Sequence, residues 1–205
     1  MPKKKKQQKM PNPKEERTVV LVKPDGVKRG LIGDIISRIE QRGLKIIALK
    51  MVWATEEQID GHYPKDKAWI TRLGNKTLST YKQYNINAKK ELGSDNPYKL
   101  GQMVRQWLVG YLVSGPIVKI IVEGIHAIDM VRKMAGNTLP YLAEMGTIRG
   151  DYSVDSPAAA NKDKRSIHNI VHASENPQEA DHEMDYWFSP EDIHSYDRAE
   201  EDIMF

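Results

Sequence analysis

The spacing of apolar side chains divides the chain into stretches of two kinds. Thr18–Lys23 is a short, mostly apolar run halted by the Pro24-Asp25-Gly26 turn, and it predicts a strand. Leu31, Ile32, Ile35, Ile36 and Ile39 then recur at the spacing that shares one helical face, with Gly43 as the stop. In Leu44–Trp53 the residues Ile47, Leu49 and Met51 alternate with more polar positions, which is the period of a second strand. Thr55-Glu56-Glu57-Gln58 reads as a helix start that leads to His62-Tyr63.

Beyond this point the pattern weakens. Leu73–Pro97 is polar and punctuated by Gly74, Gly93 and Asn96-Pro97, so it is expected to be an inserted loop with a short helix. Tyr98–Leu112 reads as a helix, Pro116–Glu123 as a third strand, and Ile125–Ala135 as a helix grouping Ile128, Val131 and Ala135. Gly136–Gly150 is expected to be a long loop. Ser153–Lys164, rich in Ser, Ala, Asp and Lys, reads as a second insertion, and Ile167–Ala173 as the last strand. Asn176-Pro177-Gln178-Glu179 then supplies an N-cap, an N1 proline and an N3 acid for a final helix buried along Ala180, Met184, Trp187 and Phe188. Strand-helix-strand, given twice, is the split βαβ pattern. The predicted fold is an α/β (α+β) ferredoxin-like βαββαβ sandwich, a four-stranded antiparallel sheet with helices on one face.

A chain of 205 residues suits one domain with a proper core, expected over residues 16–205 with insertions near 73–112 and 153–165. The net charge of +3 conceals an asymmetry. Residues 1–14 hold six lysines and no acid, so the remainder carries −3, and residues 1–15 are expected to form a basic, disordered arm. The absence of cysteine excludes disulfides and thiolate metal sites. No run reaches the length of a membrane span and the N-terminus lacks the apolar core of a secretory signal, so a cytoplasmic protein is expected.

The chemistry concentrates near the C-terminus. A histidine ring can attack phosphorus with one nitrogen while its other N–H meets a carboxylate that fixes the tautomer. His172, on the last strand, and Glu183, beside the apolar stripe of the last helix, are placed for this. Lys23, Arg132, Thr138, Arg149 and Asn169 fall at strand ends, on a helix and in loops, where point charges and forks could hold a phosphate chain. Tyr63 and Trp69 are aromatic neighbours of such a pocket. No GxxxxGK[ST] and no GxGxxG between strand and helix occurs, which argues against a Walker-type kinase. His168 and His172 stand four apart, but in a predicted strand without an HExxH glutamate, so zinc is not expected.

Five separated blocks carry a resemblance: Val22-Lys23-Pro24-Asp25-Gly26-Val27 with Arg29-Gly30-Leu31-Ile32-Gly33, then Glu123-Gly124, Arg132, Gly146-Thr147-Ile148-Arg149-Gly150-Asp151, and Asn169-Ile170-Val171-His172-Ala173-Ser174. In order and composition they resemble the nucleoside diphosphate kinases, over roughly residues 16–190. The resemblance implies the ferredoxin-like fold and transfer of the γ-phosphate of ATP to a nucleoside diphosphate, by a ping-pong route through a phosphohistidine. It implies His172 as nucleophile and Glu183 as its orienting partner. Lys23, Tyr63, Arg132, Thr138, Arg149 and Asn169 fall where the family contacts phosphates, ribose and the histidine, and Trp69 where it stacks the base. Mg²⁺ is expected to be held by substrate phosphates, with Glu175 at most meeting it through water. Glu175 stands where the family carries aspartate, and His168 where an arginine is common.

The expected partners are ATP and other nucleoside di- and triphosphates and further copies of the chain, as a tetramer or hexamer, without membrane or nucleic acid. A rival reading takes the lysine run as its motive: a protein of this fold with reduced catalysis that binds nucleotide or nucleic acid as a regulator.

Overall fold

The computed structural model describes residues 13–199 and Ile203. The lysines at positions 3–9 of the expected arm lie outside these residues; Pro13–Glu15 form a 3-10 turn. The chain then runs through β1 (Glu16–Val22), α1 (Pro24–Lys28), α2 (Ile32–Gln41), β2 (Lys45–Val52), α3 (Glu56–His62), α4 (Lys67–Gln83), α5 (Ala88–Leu92) and α6 (Pro97–Leu112). It continues with β3 (Ile117–Gly124), α7 (Ala127–Ala135), α8 (Ile148–Tyr152), α9 (Pro157–Lys162), β4 (Val171–Ala173) and α10 (Pro177–Trp187).

The four strands form one sheet in the order β2-β3-β1-β4, and every neighbouring pair is antiparallel. This is the ferredoxin-like arrangement expected from the sequence, with β1 near the centre and β4 at an edge beside it. Leu21 of β1 stands opposite His172 of β4.

Helices cover both faces of the sheet, not one. Val20, Val22, Val118, Ile120 and Val122 pack against Ile35 and Ile39 of α2 and Val131 of α7. Val19, Leu21, Ile117 and Ile121 face Ile59 of α3, Val109 and Leu112 of α6, and Trp187 of α10. Successive strand residues point to opposite faces, so β1 and β3 are buried on both sides and read as continuous apolar runs. A sandwich with one open face would have shown alternation in those strands.

Three further expectations change. Leu73–Pro97 is mostly helical: α4 continues to Gln83 and α5 follows. Asp66 caps α4 by accepting from the Trp69 N–H at 2.8 Å, while Ile70, Thr77 and Tyr81 are buried along it. Gly74 is a contact point there, since a Cβ on it would lie 1.7 Å from the Pro97 carbonyl oxygen of α6. The last strand is shorter than predicted, because Ile170 has φ +70° and the Val171 N–H turns back to the Asn169 oxygen at 2.7 Å. The expected 136–150 loop likewise ends in α8. No helix of the described residues is long and apolar enough to cross a membrane.

Candidate active site

His172 projects from β4 toward the face covered by α3 and α10, because Val171 and Ala173 on either side of it belong to the other face. α10 delivers the partner. Asn176 caps the helix by accepting from the Glu179 N–H at 2.9 Å, Pro177 occupies its first turn, and Ala180 and Trp187 bury its inner side. Lys119 of β3 donates to the Trp187 carbonyl at the other end of the helix. Glu183 is thereby held inside, 3% exposed.

Oε1 of Glu183 lies 2.6 Å from Nε2 of His172, whose side chain is 21% exposed. Nε2 itself is buried, in close contact with the carboxylate oxygen and with no other partner among the described residues. Ser174 donates its hydroxyl to the other carboxylate oxygen at 2.7 Å. Burial works to raise the Glu183 carboxyl, yet His172, His62 and the Ser174 hydroxyl together hold it below its usual value.

Two members of this cluster were not singled out from the sequence. Ser174 follows the His172 strand, but only the fold turns it toward α10. His62 lies at the end of α3 with its ring edge on that of His172, centroids 5.1 Å apart. Its Nδ1 accepts from the Trp187 indole N–H at 3.2 Å and lies 3.6 Å from Oε1 of Glu183. Burial, then the neighbouring His172, push His62 down to about 3, so its imidazole stays neutral. His62, His172 and Glu183 bring one possible metal-ligand atom each within 4.8 Å of one another. The lone pair of His62 Nδ1 is already engaged by the indole, which fits a hydrogen-bonded cluster better than a metal cage.

A second group surrounds the bend before His172. Lys23, 7% exposed, donates from Nζ to the Asn169 side-chain oxygen at 2.7 Å. Burial, then Arg149, lower Lys23 to about 7, with Asp25 opposing. The Asn169 amide donates in turn to the Thr138 carbonyl at 2.9 Å. Arg149 reaches three carbonyls, those of Asn169 at 3.2 Å, Gly136 at 2.7 Å and Val171 at 2.8 Å. A guanidinium has five N–H groups, so two remain for a ligand. Burial, then the nearby Arg132, bring Arg149 down to about 10. Gly136 is required here: its φ is +80°, and a Cβ would meet the Thr147 hydroxyl at 2.3 Å.

Arg132, Thr138, Arg149 and Ala173 share a polar cavity of about 230 Å³. It shares Arg132, Gly136 and Asn137 with a neighbouring cavity of about 480 Å³ that reaches Lys133 and Thr147. Arg132 and Thr138 are exposed, and the Arg132 guanidinium makes no hydrogen bond to the other described residues, so its N–H groups are open to a ligand. A larger concavity of about 700 Å³ follows the outer side of α4 past Lys67, Arg72 and Lys76, but contains none of these groups.

Of the remaining expected residues, Tyr63 lies 5.0 Å from His62 and 6.1 Å from Trp69, ring centre to ring centre, so the three rings form a row ending at His172. Burial raises the Tyr63 phenol and keeps it protonated. Glu175 is exposed, and its N–H is taken by the Glu179 carboxylate at 2.8 Å. His168 is exposed as well and turns its ring onto Tyr111. The arrangement joins a carboxylate-backed imidazole to a cluster of cations and N–H donors, which suits an anionic group arriving beside the ring.

A family model described as nucleoside diphosphate kinase matches residues 16–80 and 70–193. A nucleoside diphosphate kinase of Pyrobaculum aerophilum is 46% identical over 178 residues, 87% of this chain and 97% of the relative. That of Pyrococcus furiosus is 38% identical over 184 residues, 90% of this chain and 89% of the relative. Among solved structures, the NDP kinase from Pyrobaculum aerophilum gives a TM-score of 0.86 at 43% identity, covering 88% of this chain and all of the other. A transition-state mimic of the Borrelia burgdorferi nucleoside-diphosphate kinase with bound vanadate and ADP gives 0.73 at 35% identity, covering 91% and 94%.

Proposed function

The chain belongs to the nucleoside diphosphate kinase family and transfers the γ-phosphate of a nucleoside triphosphate to a nucleoside diphosphate through a phosphohistidine; we propose that His172 is that histidine. One observation carries the assignment. Nε2 is buried against Glu183 at 2.6 Å, which leaves Nδ1 as the ring nitrogen for substrate.

In this reading the Nδ1 lone pair attacks the γ-phosphorus as the bond to the β-phosphate oxygen breaks, and the nucleoside diphosphate departs. A second diphosphate then takes the phosphoryl group by the reverse steps. Glu183 favours the positive charge that grows on the ring, as an oriented carboxylate does for an attacking imidazole. Lys23, Arg132 and the two spare N–H groups of Arg149 meet the charge on the transferring group and the leaving oxygen. Asn169 fixes the Lys23 ammonium, and Thr138 and Tyr63 border the sugar and phosphates. Trp69 offers its face to the base.

Such a kinase depends on a divalent metal, and we take it to be Mg²⁺. The phosphate cavity fits this: its charged lining residues, Arg132 and Arg149, are cations suited to phosphate and not to a metal, and the carboxylates of Asp25 and Glu183 outside it are occupied by hydrogen bonds. No carboxylate among the described residues lines this cavity, so the metal would travel on the nucleotide phosphates, where it would supply charge neutralisation. Exposed Glu175 could reach it only through water.

We also read residues 16–205 as one domain, with 73–112 and 153–165 inserted, working in the cytoplasm as a homo-oligomer. The oligomer is motivated by β2, an edge strand whose outer half exposes Leu49 and Met51, with Trp53 exposed just beyond its end. The regulatory alternative gains nothing from the site, which keeps its nucleophile, its carboxylate and its cations together.

The test is direct. Incubation with γ-labelled ATP and Mg²⁺, without acceptor, should leave one acid-labile, alkali-stable phosphate per chain, absent from His172→Ala and present in His168→Ala. Label retained by His172→Ala would overturn the assignment.

A further inference from the structure

Ile170 is the most unusual backbone position near the site. A β-branched residue rarely adopts φ +70°, and it does so here two residues before His172, where the bend sets the direction in which β4 leaves. Such a conformation persists only if its surroundings fix it. On one side, the Lys23 N–H donates to the Ile170 carbonyl at 2.7 Å. On the other, the Ile170 N–H donates to Oδ2 of Asp25 at 3.1 Å. The second oxygen of Asp25 accepts the hydroxyl of Tyr111, from the last turn of α6, at 2.5 Å.

Tyr111 does more than fill space. Its ring stacks on that of His168, centroids 4.8 Å apart and 24° from parallel, and His168 begins the bend. The Lys23 ammonium lies 5.8 Å from the centre of the same ring. His168 is in turn fixed at both backbone groups: its N–H donates to Asp155 at 2.8 Å, and its carbonyl accepts from the Ser153 hydroxyl at 2.7 Å. Tyr111 is 8% exposed, so packing alone would be served as well by phenylalanine. The hydroxyl is spent on Asp25, and burial together with the Asp25 charge keeps it protonated as a donor. Without it, one oxygen of Asp25 loses its partner and the carboxylate is free to turn from the Ile170 N–H.

We propose that Tyr111 is a positioning residue for phosphoryl transfer, holding the bend at Ile170, and through it the His172 ring, by way of Asp25. This rests on His172 being the phosphate carrier. Tyr111 is not among the groups assigned to nucleotide, so its loss should slow the chemical step and spare binding.

The experiment is single-turnover labelling with γ-labelled ATP, reporting for each variant both the labelled fraction and the rate constant per labelled site. Tyr111→Phe keeps the ring on His168 and removes only the O–H. It should lower the rate constant about tenfold, the scale of one buried hydrogen bond, with labelled fraction and nucleotide KM within twofold of the parent. Asp25→Asn should lower it at least as much, and the double variant no further than Asp25→Asn alone, since both act on one bond network. An unchanged rate constant in Tyr111→Phe, a fall confined to the labelled fraction, or additive effects in the double variant would each overturn the proposal. His172→Ala, assayed alongside, tests the underlying assignment separately: label surviving there would remove the assignment whatever Tyr111→Phe does.

Discussion

The Ser174 hydroxyl and the Glu183 carboxylate meet at 2.7 Å on the oxygen turned away from His172. The same hydroxyl oxygen accepts the Val19 N–H at 3.2 Å, so one side chain ties the central strand to the carboxylate beside His172. Glu183→Gln keeps the shape and removes the charge. It should slow labelling of His172 by about 10²–10⁴, the range for a positioned acid–base or orienting group. Ser174→Ala leaves the charge in place and should cost about tenfold. Rapid-quench labelling measures both, and a parental rate in Glu183→Gln would remove the carboxylate from the mechanism.

The pH profile should report Lys23. A lysine is charged below its pKa, and this one is lowered to about 7 by burial and then Arg149. Raising the pH through 7 therefore discharges it and removes the phosphate contact proposed for it. Since kcat/KM follows groups of the free enzyme, it should decline above about pH 7, and Lys23→Arg should level that limb whatever its absolute rate. A flat parental profile from pH 6.5 to 9 would contradict this.

His62 should be visible in stability. Its folded pKa of about 3 lies below the ordinary 6.5, so the folded protein refuses a proton that the unfolded chain accepts. Its contribution is complete above pH 6.5 and is lost as the pH falls toward 3, at about 1.4 kcal/mol per pH unit. Glu183 is also lowered, from 4.5, and adds its own loss only below that value. Denaturant melts between pH 6.5 and 4.5 should therefore show a shallower slope, by one proton, in His62→Gln. Parallel slopes would mean that His62 is protonated in the fold.

As the proposed stacking platform, Trp69 would meet the flat face that every base shares. Adenine and guanine diphosphates should compete within about tenfold, and Trp69→Ala should raise KM for both by a similar factor, since each base loses about 1–3 kcal/mol of stacking at most. A preference of several hundredfold in the parent would point to a hydrogen-bonding reader instead.

The exposed row on β2 predicts the assembly. Met51, 55% exposed between Leu49 and Trp53, is the position at which a charge would do most damage to a mating surface and least to the fold. Met51→Glu should reduce the mass measured by light scattering while leaving the melting curve of the monomer cooperative. An unaltered mass would assign the interface elsewhere.

The elements legible in the sequence were those whose burial left a periodic trace. β1 and β3 gave apolar runs, and the Asn176-Pro177 start of α10 announced a helix that does hold Glu183 against His172. α4 was missed for the opposite reason. Much of its length faces solvent, and Gly74, read as a break, is there so that α6 can approach its backbone. The last strand was overextended because a β-branched Ile170 argues for strand, while its bend is imposed from outside by Asp25 and Lys23. His62 and Ser174 left no signal beyond their neighbours, since each acquires a role only when α3 and α10 meet over β4.

The sheet order also sets a sequence in time. The strand that carries His172 can dock only on β1, and the bonds that seat it, Val19 to Ser174 and Lys23 to Asn169, span 155 and 146 positions of chain. Contacts that distant close late, after the helices between them have formed. On this ground a nascent or refolding chain is expected to gain local helix before it brings His172 against Glu183. The proposed uptake of phosphate at His172 is therefore tied to a contact between the first and last strands, so that a chain in which they have not met would carry no such site.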